Sequence, residues 1–166
     1  MYIRSIQLLT KTMYMKKLRI LLMIMAAGIF GSTNLMAQDY QPDDILGVWL
    51  NEDEDAHIEI YKEGDLYFGK IIWLKFPIDD ETGKPKLDKH NPDPELQKRP
   101  SLGIRLLTDF EWDGDNEWDE GDIYDPKSGK TYSCYIIMED INRLKIRGYI
   151  GISLIGKTTY WTRVIE

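Results

Sequence analysis

Carboxylates, an amide and a histidine cluster at Asp88, His90, Asn91 and Asp93, within six positions of the sequence. Side chains of this kind at the mouth of a fold would bind a polar ligand or a cation. Turn chemistry is the alternative, because Asn and Asp side chains readily hydrogen-bond their own backbone. We favour the turn interpretation and keep Asp88 and Asn91 as candidate ligand-binding residues.

Metal binding has little support in the sequence. A second acidic group resembles a set of calcium ligands, but it lacks the glycine and the final glutamate of an EF-hand loop. A solvated acidic hairpin is therefore the preferred interpretation. Zinc needs three or four suitable ligands, and His57, His90 and Cys134 lie on different predicted elements. We predict no metal site and no cofactor. The members of the acidic group are Asp113, Asp115, Glu117, Asp119, Glu120 and Asp122.

Motifs for nucleophilic or nucleotide chemistry do not occur in the sequence. The serines have no nucleophile-elbow context, and neither a Gly-x-Gly-x-x-Gly nor a Walker pattern is present. Acid–base catalysis would require two carboxylates, or a carboxylate and a histidine, that face one pocket. The spacing of the sequence shows no such pair, so we predict no catalytic residue. Tyr124 beside Asp125 leaves a carboxylate-based hydrolase or isomerase as the third hypothesis.

Charge and composition limit the partners. The 166-residue chain has a formal net charge of −7, and its first 37 residues contain five bases and no acid. The remaining 129 residues carry 16 bases and 28 acids, a net charge of −12. A body this acidic repels nucleic-acid phosphates and anionic membranes, so neither is expected as a partner. The single cysteine excludes a disulfide within the chain.

The N-terminal segment has the layout of a secretory signal. A basic segment, Met15–Arg19, precedes an apolar run, Ile20–Phe30, and Ala37 supplies a small residue at the cleavage position. An apolar run of this length is too short to span a bilayer. We therefore predict a signal peptide over residues 1–37, with the true start at Met15, and a protein exported to the periplasm or secreted. No integral membrane segment is expected after cleavage.

The mature chain, residues 38–166, has the pattern of one all-β domain. Short alternating runs separated by turn residues predict about eight strands, and an antiparallel up-and-down β-barrel is favoured because closure removes exposed sheet edges. Two segments do not resemble ordinary turns: Phe76–Pro100, with five of the seven prolines, and the apolar connection Ile150–Ile155. The predicted strands are 45–50, 57–62, 66–74, 103–112, 117–124, 130–139, 143–150 and 157–165.

The two ends of the predicted barrel carry complementary side chains. Trp49 lies on the first strand and Arg163 on the last, and barrel closure brings these strands side by side. The guanidinium would stack on the indole and plug one end of the barrel. Gly47 would allow the close backbone approach that such a plug requires. This Gly-x-Trp with a distant C-terminal Arg is similar to the lipocalin-like pattern.

A longer series of motifs extends this similarity over Ile45–Val164. Together the motifs resemble the secreted bacterial family known as domain of unknown function 2147. The resemblance implies a lipocalin-like β-barrel exported across the inner membrane, and it implies no reaction. The motifs are Gly47-x-Trp49, Gly69-Lys70-Ile71-x-Trp73-Leu74, Asp88-x-x-Asn91-Pro92, Gly103, Trp118-x-x-Gly121-x-Ile123-Tyr124-Asp125-Pro126-x-x-Gly129-Lys130-x-Tyr132, Leu144-x-x-Arg147-Gly148-Tyr149-x-Gly151 and Trp161-x-Arg163.

The leading functional hypothesis is a barrel that binds a small apolar or amphipathic molecule. Aromatic residues would supply its walls, and the two unusual segments would line its entrance. The alternative is a cell-envelope interaction module without a ligand cavity, and the sequence identifies no protein partner for it. The candidate ligand-binding residues are Tyr67, Trp73, Asp88, Asn91, Tyr124 and Tyr132.

Export predicts a defined mature N-terminus. We expect cleavage within a few residues of Gln38, because Ala37 ends the signal pattern. Mass spectrometry of the protein recovered from the cell envelope measures this terminus. Recovery of protein that retains Ile20–Phe30 would contradict the prediction.

Overall fold

The structure, a computed structural model, describes residues 39–165, and its strands form one closed barrel. Each strand pairs antiparallel with the next, and β1 pairs with β8, so the predicted all-β up-and-down barrel is confirmed. The predicted signal peptide, residues 1–37, lies outside the described residues. The eight strands are β1 (Gly47–Leu50), β2 (Ala56–Glu63), β3 (Leu66–Leu74), β4 (Arg105–Gly114), β5 (Glu117–Asp125), β6 (Lys130–Asp140), β7 (Arg143–Ile150) and β8 (Ile152–Arg163).

Up-and-down topology sorts the connections between two ends of the barrel. One end, called here the closed end, carries the residues before β1 and the β2–β3, β4–β5 and β6–β7 turns. The other, the open end, carries the β1–β2 loop, the long β3–β4 connection, the β5–β6 turn and the β7–β8 turn. Within the described residues, no helix is long and apolar enough to cross a membrane.

Arg163 and Trp49 join the first and last strands at the closed end. They are register partners in the β1–β8 ladder, and the guanidinium lies 4.1 Å from the centre of the indole. Arg163 also donates hydrogen bonds to the backbone carbonyls of Asp44, Leu46 and Ile141, at 2.6, 2.8 and 2.6 Å. Gly47, at φ 130°, is required here, because a Cβ atom would lie 2.8 Å from the guanidinium.

The core fills the closed half of the barrel. Trp49 and Trp118 are fully buried, and Trp118 packs edge-to-face against Trp112 at 4.6 Å between ring centres. Both buried indoles donate to carbonyls of the segment before β1, Trp49 to Ile45 and Trp118 to Pro42. Other large side chains that fill this core are Tyr67, Phe110, Ile136, Met138, Leu144 and Ile146.

Three segments differ in kind from the prediction, apart from strand ends that differ by one or two residues. The first strand begins at Gly47, because Pro42–Ile45 forms a 3-10 helix whose N-terminal proline fixes a helical φ. The predicted apolar connection Ile150–Ile155 is instead the end of β7, a turn at Gly151 and the start of β8. The long β3–β4 connection contains a 3-10 helix, Leu96–Lys98, and two isolated bridges, Ile78 to Pro85 and Leu87 to Pro100.

Replacing Arg163 by alanine should lower the free energy of unfolding by about 1–3 kcal/mol, through loss of the stacking and of three carbonyl contacts. Arg143→Ala is the matched control, because Arg143 also stacks on a ring, that of Tyr160, but its side chain is half-exposed and, among residues 39–165, bonds only to Glu139. Urea unfolding of both variants measures the difference. Equal stabilities of the wild-type protein and Arg163→Ala would contradict this account of the closed end.

Candidate functional site

A cavity of about 770 Å³ occupies the open half of the barrel. Its floor is apolar and belongs to the buried core, with Ile58, Ile71, Ile146 and Trp161 at its surface. This volume lies within the range of about 300–1,000 Å³ that small-molecule sites occupy. The cavity therefore begins where the packed core of the closed half ends.

The walls of the cavity come from inward-facing positions of several strands. Leu74, Leu106, Ile123, Tyr132 and Thr159 lie on its surface above the floor. Side chains alternate along the regular part of each strand, so every second residue there faces the lumen, whereas near the strand ends consecutive residues such as Ile123 and Tyr124 line the cavity. Gly148 lies on β7 among these walls, and its lack of a side chain lets Ile123 and Tyr132 pack close to the strand, because a Cβ atom there would lie 3.2 Å from Ile123 and 3.5 Å from Tyr132.

The long β3–β4 connection is fastened beside the cavity by Asp88. This carboxylate is buried and accepts hydrogen bonds from Tyr124 Oη at 2.6 Å, Asn91 Nδ2 at 2.8 Å and Arg99 at 2.8 and 3.0 Å. Gln97 donates to the Asn91 carbonyl at 2.8 Å and extends the network. The buried charge is thus fully satisfied, which is the condition under which a buried carboxylate stabilises a fold. We call these residues the loop latch.

The latch also depends on close backbone packing with the β5–β6 turn. Gly129 has a φ of 69°, and a Cβ atom there would lie 1.8 Å from the carbonyl oxygen of His90. No residue with a side chain fits that position. Burial and the hydrogen bond to Asp88 raise the pKa of Tyr124 to about 12, because both disfavour the phenolate.

Six ligand-binding residues were predicted, and the structure brings only two of them to the cavity surface. Tyr124 and Tyr132 line it. Asp88 and Asn91 lie within the latch, where their polar atoms are already bonded to protein groups. Asn91 Oδ1 accepts a hydrogen bond from the Asp93 backbone N–H at 2.9 Å, which is turn chemistry, whereas Asp88 bonds side chains of other segments.

Tyr67 and Trp73 lie elsewhere. Tyr67 is buried at the closed end and donates to Asp43 Oδ1 at 2.7 Å. Trp73 is 41% exposed and stacks on His57, with ring centres 4.4 Å apart. The physical reason is a β-bulge: Ile58 pairs with Ile71 but His57 pairs with Trp73, so the extra residue reverses the alternation and turns the indole outward.

Several cavity residues were not among the predicted ligand contacts. Ile146 and Gly148 alternate on β7, and Thr159 and Trp161 alternate on β8, so the period of two could have identified them. Lys157 belongs to the same inward-facing row of β8. Lys157 was not selected from the sequence, because a charged lysine at a strand end is ordinarily assigned to solvent.

The β7–β8 hairpin places an apolar tip beside the cavity. Ile150, Ile152, Leu154 and Ile155 are 63, 58, 85 and 65% exposed, and the first and last of them line the cavity. Tyr149 pairs with Gly156 while Ile150 pairs with Ile152, so residues 153–155 bulge from the ladder. Arg147 holds the bulge by donating to the carbonyls of residues 153 and 154.

The cavity lining brings His90 together with five carboxylates, those of Glu52, Asp53, Asp55, Asp79 and Asp125. Among residues 39–165, no three His, Cys, Asp or Glu side chains are placed to hold a metal ion. His57 packs on Trp73, His90 lies at the cavity rim, and Cys134 is buried in the core. Asp88 is the one buried carboxylate in the described part of the chain.

The closed end, the strand order and the open cavity define a lipocalin-like barrel. Residues 47–163 match the family described as "Uncharacterized protein conserved in bacteria (DUF2147)", and the chain belongs to this family. Among solved structures, protein HP1028 from Helicobacter pylori, described as belonging to the lipocalin family, is similar, with a TM-score of 0.63 and 22% identity. The match covers 74% of this chain and 84% of that chain, and it concerns the fold. No curated protein matches.

Tyr124 predicts a stability change at alkaline pH. Its pKa is about 12 in the folded protein and about 10 when unfolded, so between these values the unfolded chain loses the proton first. The free energy of unfolding therefore falls as pH rises from about 10 to about 12, and this contribution is fully present only below pH 10. In Tyr124→Phe, the free energy of unfolding measured across this pH range should decline less steeply than in the wild-type protein. Identical slopes would contradict the prediction.

Proposed function

We propose that this protein binds a small, largely apolar molecule inside the open half of its barrel. The observation that carries the proposal is the 770 Å³ cavity with a buried floor of Ile58, Ile71, Ile146 and Trp161. An apolar cavity of this size favours binding, because transfer of an apolar ligand from water into it removes the apolar surface of the ligand from solvent.

Export forms part of the same proposal. The basic and apolar pattern of residues 15–37 supports passage through the inner membrane, and the near absence of cysteine is compatible with an oxidising compartment. A carrier of apolar molecules would be useful in the aqueous periplasm, where such molecules are poorly soluble. A mature N-terminus near Gln38 on protein from the cell envelope would support this location.

A second candidate function is a protein contact through the β7–β8 tip. Leu154 is 85% exposed and Ile155 is 65% exposed, and aliphatic groups clustered at one tip are typical of interaction surfaces. Ile155 also lines the cavity, so the binding proposal accounts for it as part of the entrance. We therefore rank the contact surface second.

Filling the cavity should weaken the binding of a neutral dye. Thr159 lines the lumen on β8, and Thr159→Phe places a ring there, so the dissociation constant of Nile red should rise at least about tenfold, equivalent to 1.4 kcal/mol. Thr159→Val keeps the volume and should bind like the wild-type protein. Trp73→Ala, which removes an outward-facing ring, should also leave binding unchanged. Fluorescence titration of the three variants measures this.

Thermal unfolding of each variant shows whether the fold is retained. Loss of dye binding in a folded Thr159→Phe, with both controls intact, supports the cavity as the site. Equal binding by Thr159→Phe and the wild-type protein would place the dye elsewhere. Failure of the wild-type protein to bind any apolar probe would overturn the proposal and favour the contact surface.

A further inference from the structure

The charged groups at the rim of the cavity differ in how far the protein itself satisfies them. Asp79 accepts hydrogen bonds from Lys89 at 2.6 Å and from Thr82, whose backbone N–H and hydroxyl donate at 3.0 Å. Asp125 is bonded by the Ser128 hydroxyl at 2.7 Å and by the Lys127 backbone N–H at 2.9 Å. Both carboxylates are therefore occupied.

The carboxylates of the β1–β2 loop are occupied as well. Lys127 Nζ lies 2.7 Å from Asp53 Oδ2 and 3.3 Å from Asp55 Oδ2, and Asn51 donates to Asp55 at 2.7 Å. The hydrogen bond and the charge of Lys127 hold the pKa of Asp53 below its usual value, and the charge of Lys157 acts in the same direction to a lesser extent. Glu52, an exposed side chain, is the one carboxylate of the cavity lining without a bonded partner among the described residues.

Two rim lysines are in the opposite condition. Lys86 and Lys157 line the cavity, and within residues 39–165 neither ammonium group has a salt bridge or a hydrogen bond. Lys86 lies 5.7 Å from the centre of the Phe76 ring, an arrangement that leaves its three donors available. The unsatisfied hydrogen-bonding capacity of the rim is thus mainly that of cationic donors.

The position of Lys157 places one of these free cationic donors beside the lumen. Lys157 belongs to the inward-facing row of β8 that includes Thr159 and Trp161, and its register partner on β7 is Gly148. The residue directly opposite Lys157 on β7 therefore has no side chain. Trp161 lies four residues deeper, which corresponds to about 13 Å along a strand. A ligand of about that length would span from the ammonium group to the apolar floor.

We propose that the ligand is an amphipathic anion, with its apolar part on the cavity floor and its anionic head between Lys86 and Lys157. This inference rests on the proposed function and narrows the ligand class. An anionic head fits because the free donors are cationic, whereas a cationic head would find Glu52 as its one unbonded carboxylate. The acidic surface is screened beyond about 8 Å at physiological salt, so direct contacts decide between head groups.

Three probes with the same alkyl chain separate the head group from the tail: dodecanoate, dodecanol and dodecylamine. The wild-type protein should bind dodecanoate most tightly by calorimetry, and Lys157→Gln should weaken dodecanoate about tenfold, the loss expected for one charge-assisted hydrogen bond. Lys86→Gln should act in the same direction. Dodecanol affinity should change less than about twofold in either variant. Lys157→Glu should reverse the preference between dodecanoate and dodecylamine.

Lys84→Gln is the matched control, because Lys84 lies in the same connection and does not line the cavity. Its affinities should equal those of the wild-type protein. Equal wild-type affinities for dodecanoate and dodecanol, or equal losses in Lys84→Gln and Lys157→Gln, would overturn the anionic-head inference while the apolar cavity stands. Failure of all three probes to bind would instead overturn the proposed function together with this inference.

Discussion

Closure of the barrel depends on the contact between Arg163 and Trp49. The seam between β1 and β8 is short, with Trp49 opposite Arg163 and Leu50 opposite Thr162. Arg163 compensates for this short ladder, because one guanidinium stacks on the indole and binds carbonyls of the segment before β1 and of the β6–β7 turn. A planar group with five donors suits this task, whereas a lysine would supply a point charge without the stacking surface.

Closure at one end leaves the other end free for binding. Three of the largest fully buried side chains, Trp49, Tyr67 and Trp118, fill the lumen of the closed half. The inward positions of the open half include smaller side chains, such as Ala56 and Thr159, beside the ring of Tyr132. The division of the lumen therefore follows from the size and placement of side chains along each strand.

The loop latch provides the second constraint on the site. A connection as long as residues 75–104 would ordinarily have many conformations, and ordering it costs conformational entropy. Asp88 offsets this cost by satisfying donors from Tyr124, Asn91 and Arg99 at once. The latch holds Lys86 and His90 at the cavity rim, so a buried structural carboxylate positions residues that can reach a ligand.

The strands and most turns could be predicted from the sequence, because hairpins depend on local alternation and on turn residues that lie side by side in the chain. The pairing of Trp49 with Arg163 followed from topology alone, since closure must bring the first and last strands together. The acidic charge and the candidate signal segment likewise required no coordinates. In each of these cases the determining information lies within one element or in the order of the elements.

The site depended on tertiary structure. A single bulge at Ile72 turned Trp73 outward, and the sequence carries no mark of an extra residue in an otherwise regular strand. Asp88 appeared as a turn residue or a ligand contact, whereas its burial results from Tyr124 on a distant strand and Arg99 farther along the same connection. The cavity itself is lined by residues of several strands and of the long β3–β4 connection. Its volume is set by which side chains meet across the lumen, and that depends on register and packing between strands rather than on any one segment.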